Sequence, residues 1–201
     1  MRKTTRFLMN IPAIIPAIIL AIAATVLAFG AATTPARAEI SLLGIPELLA
    51  AATSGDLAKA KTLLIRGSKP DITDIRGNTP LVVAIRAGNV EMVALLLKFG
   101  AHTSLLDRDG NSALHRAAEL GDPVIIRQLL AASAKIDINN HQGLTALMVA
   151  ARGGLADAVE ALLKGGAAVD KADFTGRTAL NWASESRNPQ VAELLRRNGA
   201  H

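Results

Sequence analysis

The chain contains no cysteine and no tyrosine, and aromatic residues make up 2% of its 201 residues. The missing cysteines exclude a disulfide framework, a thiolate metal site, a cysteine nucleophile and a lipid-modified cysteine anchor. The scarcity of aromatics excludes a large aromatic-centred core, so any interior must be assembled from leucine, isoleucine, valine and alanine. Such residues are plentiful, since 50% of the chain is hydrophobic. A length of 201 residues leaves room for one domain or two small ones.

Charge is also absent over one long stretch. Arg2, Lys3 and Arg6 precede an uncharged run from Phe7 to Ala36, and Ala36-Arg37-Ala38 places small residues at both positions that a signal peptidase reads. The pattern resembles a secretory signal peptide, residues 1–38, cut before Glu39. Basic residues ahead of an apolar segment direct Glu39 onward to the far side of the membrane whether or not cleavage occurs. The uncharged run of 30 residues is long enough to span a bilayer, so a retained anchor is the alternative. Pro12 and Pro16 within the run fit a processed leader better than a permanent span. No Arg-Arg pair precedes the apolar part, which points to the general export route, and a thiol-free chain suits an oxidising space such as a bacterial periplasm.

The formal net charge of +5 belongs largely to this leader. Without Arg2, Lys3, Arg6 and Arg37, 18 of the 22 basic residues remain against 17 acidic ones. Net charge therefore gives no support for nucleic-acid binding.

The remainder repeats with a period of 33, as Gly44, Gly77, Gly110, Gly143 and Gly176 show. The hydroxyls Thr79, Ser112, Thr145 and Thr178 keep the same step, as do Leu81, Leu114, Leu147 and Leu180, the series Ala51, Ala84, Ala117, Ala150, Ala183, and the series Leu63, Leu96, Leu129, Leu162, Leu195. Asp74, Asp107, Asn140 and Asp173 each stand three residues before a ladder glycine, which predicts a tight turn closed by an Asx side chain with glycine at positive φ. The hydroxyl two residues later is the cap of a first helix, and Pro80 sits where a missing N–H is harmless. That helix ends at Gly55, Gly88, Gly121 or Gly154, and a second begins at once behind Asp56, Asn89, Asp122 or Asn188. The second helix carries a leucine pair and stops at Gly67, Gly100, Ser133, Gly166 and Gly199.

These residues resemble the ankyrin repeat. Asp74-Ile-Arg-Gly-Asn-Thr-Pro-Leu-Val-Val-Ala84 and Asp107-Arg-Asp-Gly-Asn-Ser-Ala-Leu-His-Arg-Ala117 meet its pattern closely. Departures are the loss of proline at Ala113, Ala146 and Ala179 and of histidine at Val82, Met148 and Asn181. The resemblance implies an all-α solenoid of paired antiparallel helices with tight β-turn tips, in about five 33-residue units. Within a domain spanning 39–201, the units are a degenerate N-terminal cap at 41–73, then 74–106, 107–139 and 140–172, and a C-terminal cap at 173–201. Arg196 and Arg197 give the last unit a face that tolerates water.

Motifs of catalysis are lacking. His102, His115, His141 and His201 form no metal-binding spacing, and His102 and His201 share one repeat slot three units apart, roughly 30 Å at about 10 Å per packed layer. No Gly-x-Ser-x-Gly elbow occurs, Gly67-Ser68-Lys69 lacks the rest of a phosphate loop, and Asp107 beside Asp109 is a turn-closing residue rather than half of a catalytic pair. Nucleic acid is not expected, because beyond the leader stacking aromatics are limited to Phe99, Phe174 and Trp182. Neither an enzyme nor a cofactor site is expected.

The resemblance implies instead that the tips and the exposed side of the first helices bind another protein. The candidates are Ile75, Arg76, Asn78, Arg108, Asn111, His141, Leu144, Phe174 and Arg177 at the tips, and Arg86, Glu119, Arg152, Trp182 and Glu185 on the helices. Apolar Ile75, Leu144 and Phe174 at exposed tips suggest contact. Arg86, Glu119, Arg152 and Glu185 alternate in sign at one slot, which reads either as lateral salt bridging between units or as a mixed-charge groove fixing a partner's register. Trp182 reads either as core of the last unit or as a hot spot. The expected role is a monomeric, non-catalytic interaction scaffold or modulator in a bacterial periplasm, touching membrane only through a retained leader. The alternative is a secreted or envelope-tethered effector that binds a host protein.

Overall fold

The computed structural model describes residues 46–201 of the chain. The leader, the Glu39 cleavage site and the first glycine of the ladder, Gly44, lie outside those residues.

Among the described residues ten helices form five antiparallel pairs: α1 Glu47–Ser54 with α2 Leu57–Ile65, α3 Pro80–Arg86 with α4 Val90–Lys98, α5 Ala113–Leu120 with α6 Pro123–Ala131, α7 Ala146–Gly153 with α8 Ala156–Lys164, and α9 Ala179–Glu185 with α10 Pro189–Arg197. No strand occurs among the described residues. The starts of the first helices and of the second helices both advance in steps of 33, so the sequence period is the spatial period.

Local chemistry sets these boundaries. The hydroxyls of Thr79, Thr145 and Thr178 accept from the backbone N–H three residues on, and Asp56, Asn89, Asp122 and Asn188 do the same for the second helices. Two starts lack a capping side chain: Pro46 before α1 and Leu155 before α8. Leu155 packs instead, its Cδ atoms lying 3.1 and 3.3 Å from where a Cβ on Gly121 would be. At the helix ends, two slots that elsewhere hold left-handed glycine are filled by larger residues, Ser133 at φ 60° and Arg187 at φ 51°.

The interior is a column of aliphatic layers. Ala51, Ala84, Ala117, Ala150 and Ala183 are at most 1% exposed, and Leu96, Leu129, Leu162 and Leu195 are fully buried. In the first unit Leu64 rather than Leu63 is the buried member of the pair. First helices, rich in alanine, pack more closely on one another than second helices do. An array tighter along one side curves toward that side, so the first helices and the tips form its concave face. No helix among the described residues is long and apolar enough to cross a membrane.

Candidate protein interface

Each of the four described tips is locked by one side chain. Oδ1 of Asp74 accepts the N–H groups of Arg76 and Asn78 at 2.8 Å, and Asp107, Asn140 and Asp173 hold their tips in the same way at 2.8–3.0 Å. Successive tips also overlap. A Cβ on Gly110 would lie 2.7 Å from the backbone nitrogen of His141, and one on Gly143 would lie 2.7 Å from that of Phe174. Glycine is thus demanded there by the neighbouring tip as well as by positive φ. Further ties are His141 N–H to the Asp109 carbonyl at 3.3 Å and the Arg108 guanidinium to the Ile75 carbonyl. The rigid frame nevertheless leaves Ile75 87% and Phe174 74% exposed.

Behind the tips, His115 braces two units. Its Nδ1 accepts from the Ser112 N–H at 3.2 Å and hydroxyl at 2.8 Å, while Nε2–H donates to the Leu144 carbonyl at 2.8 Å. Burial holds the imidazole below its ordinary pKa, the neutral ring that this pattern requires. At the loop ends, His102 and His201 each face one carboxylate, Asp71 at 2.5 Å and Asp170 at 3.6 Å.

Arg116 is the electrostatic centre of the concave face. Its nearly buried guanidinium, 11% exposed, pairs with Asp107 at 2.6 Å, Asp109 at 3.0 Å and Glu119 at 2.8 Å. Burial works to raise the Asp107 pKa, but the Asn111 N–H and Arg116 outweigh it and keep the carboxyl below its usual range. Sequence reasoning missed Arg116, although it occupies the same repeat slot as Trp182.

Trp182 is half-buried and fully engaged. Arg177 lies 4.9 Å and Arg152 5.5 Å from its ring centroid, and its indole N–H donates to Asp173 Oδ2 at 3.0 Å. Burial would raise the Asp173 pKa, yet the Thr175 hydroxyl, the N–H groups of Arg177 and Thr175, and Trp182 bring it to about 2.

The family model for ankyrin repeats, in three copies, matches residues 48–140 and 117–201. The chain belongs to the ankyrin-repeat family. Comparison with curated proteins gives no match. Ankyrin repeats generally serve as protein–protein interaction modules and are typically non-catalytic scaffolds. Within this ankyrin-repeat array, Ile75, Arg76, Arg86, Arg108, Glu119, His141, Arg152, Phe174 and Glu185 are exposed, whereas Arg177 and Asn111 are half-buried.

Two candidates are corrected. Asn78 is 7% exposed, its amide donating to Asp74 Oδ2 at 2.8 Å, and Leu144 is 1% exposed, its side chain in the core. The residue after the tip glycine turns inward in those units and cannot meet a partner. Asn111 is largely spent as well, since its Oδ1 accepts from Asn140 Nδ2 at 2.8 Å.

Lateral salt bridging along Arg86, Glu119, Arg152 and Glu185 is also not what the ankyrin array shows. Glu119 pairs with Arg116 on its own helix, Glu185 pairs with Arg177 at 2.9 Å, Arg86 reaches Asp107 at 4.0 Å, and Arg152 rests on Trp182. Glu119 and Glu185 pair within their own units, Arg86 and Arg152 cross to Asp107 and Trp182 of the next unit, and none of the four pairs with the neighbouring ladder residue. A recess of about 380 Å³ remains on the concave face, lined among others by Arg116, Glu119, His141, Val149 and Arg152.

Proposed function

We propose that this ankyrin-repeat domain is a monomeric, non-catalytic scaffold or modulator that grips another protein across its concave face, in a bacterial periplasm. The observation that carries the reading is the pair of exposed apolar residues, Ile75 and Phe174, held three units apart at the ends of a row of interlocked tips. Between them Arg86, Arg108 and Arg152 supply unburied charge and Trp182 supplies aromatic area, the residue types in which interfaces are enriched. Export is supported by the basic start, uncharged run and Ala36-Arg37-Ala38, and by the absence of cysteine. The length of the uncharged run favours, as a second reading, an envelope-tethered or secreted form that acts on a host protein.

Site-specific photo-crosslinking at Phe174 and Ile75 in cells, followed by fractionation and mass spectrometry, tests both parts. Capture of one partner in the periplasmic fraction supports the proposal. Capture only through Lys98 or Lys164 on the second helices overturns the choice of face, and recovery in spent medium overturns the compartment.

A further inference from the structure

One slot on the concave side of the first helices is filled by Val83, Arg116, Val149 and Trp182 in turn. Val149 stands between two large side chains, and the recess of about 380 Å³ opens above it, with Val149 itself 7% exposed at its base. The acids on its rim are already engaged, since Asp109 and Glu119 both bind Arg116, which also holds Asp107. The cations are not: Arg152 has no carboxylate partner among the described residues and rests on Trp182, and Arg108 reaches only a backbone carbonyl. Every cation on the described tips and first helices is arginine, while the lysines lie on second helices and the loops after them. Arginine presents a planar fork that matches a carboxylate, where lysine presents a point charge.

We propose that this recess is the anchor subsite of the concave surface and takes a glutamate side chain from an extended acidic segment of the partner. The carboxylate pairs with Arg152 and the methylene stem lies on Val149. The inference rests on the concave-face reading above and adds the chemistry of what that face selects. Charge complementarity carries it: Arg108 and Arg152 line the recess without a carboxylate partner among the described residues, Asp109 and Glu119 each already meet Arg116, and the arginine over Trp182 is held by a contact weaker than a desolvated ion pair.

Trp182 is the only tryptophan, so engagement of Arg152 is visible in its fluorescence. The test titrates the protein with a short capped peptide of glutamates in a glycine–serine background and with its lysine counterpart, following Trp182 emission and calorimetric heat. The glutamate peptide should produce a saturable change and the lysine peptide none. Val149→Phe, which fills the recess, and Arg152→Glu, which reverses its charge on an exposed side chain, should each weaken binding about tenfold or more. Equal response to both peptides, no response to either, or unchanged affinity in Arg152→Glu overturns the subsite. Partner capture at Phe174 that survives both substitutions overturns the subsite alone, while capture only from the second helices overturns the surface as a whole.

Discussion

The indole N–H of Trp182 donates to Asp173 Oδ2 at 3.0 Å, so the most C-terminal tip is tied to the concave side of its own first helix. Arg116 makes the equivalent tie to Asp107 two periods earlier, with a guanidinium in place of the indole. One repeat slot thus serves two ends: it fixes the tip and it shapes the surface. Where the slot holds Val83 or Val149, no side chain of the first helix ties the tip, and Asp74 or Asn140 holds it through backbone N–H groups and one asparagine amide bond each.

Replacing Trp182 by Phe should keep the apolar contact and remove the donor to Asp173. The Asp173 pKa, near 2 in the fold, should then rise. A carboxyl depressed in the native state stabilises above its unfolded value of 3.8 and loses that contribution as pH falls toward 2. The variant's urea midpoint should therefore fall less between those values than the parent's, with a loss of about 1 kcal/mol at neutral pH. Identical acid profiles would show that the bond does not act on the carboxyl.

Arg116→Met should be the most damaging concave substitution, because it removes the close ion pair of the buried Asp107 carboxylate and leaves only Arg86, 4.0 Å away. Breaking a buried pair typically costs about 3 kcal/mol or more, whereas Glu119→Gln, at an exposed acid, should cost roughly 0.5 kcal/mol or less. Urea titrations of the two variants check the contrast, and equal losses would contradict the central place given to Arg116.

The neutral His115 makes stability depend on pH. Its folded pKa lies below the ordinary 6.5, so the unfolded chain takes up a proton first and stability declines as pH falls from 6.5 toward the folded value. His115→Asn retains the capping pattern that Asn181 forms with Thr178 but loses the bond to the Leu144 carbonyl. The variant should be less stable at neutral pH and flatter below it, as melting temperatures across that range would show.

Gly100 and Gly143 both have positive φ, yet only Gly143 meets a neighbouring tip. Gly100→Ala should cost about 1 kcal/mol from left-handed strain alone, and Gly143→Ala should cost about 1–3 kcal/mol more because the backbone of Phe174 stands in the way. Adding Phe174→Ala should not restore Gly143→Ala, since the obstructing nitrogen at 2.7 Å remains.

Much of the fold was legible because its signals are local. Asp74 and Thr79, or Asn140 and Thr145, act within five residues, so a tip and a helix start can be read from one stretch of chain. Burial at the tip was less legible: Asn78 and Leu144 follow a glycine whose positive φ turns the next side chain inward, a change of direction that no alternation in the sequence announces. Arg116 escaped notice because its three acids arrive from a tip and from its own helix, joined only once the tip is folded. The salt ladder misled because equal spacing along the chain is not equal distance in space. Arg152 and Glu185 share a slot, but Trp182 and Arg177 stand closer to them.

The overlap of the tips has a direction. His141 covers Gly110 and Phe174 covers Gly143, always the later unit over the earlier. These two joints are thus made from the same two halves, a glycine seat behind and a covering residue in front, while Gly77 meets Arg108 more loosely, at 3.9 Å. A module of 33 residues copied or deleted within the gene would meet matching halves on both sides and leave the joints sound. The order Val83, Arg116, Val149, Trp182 would not survive such an exchange. Lineages that gain or lose a unit would keep a stable array and change the partner it reads.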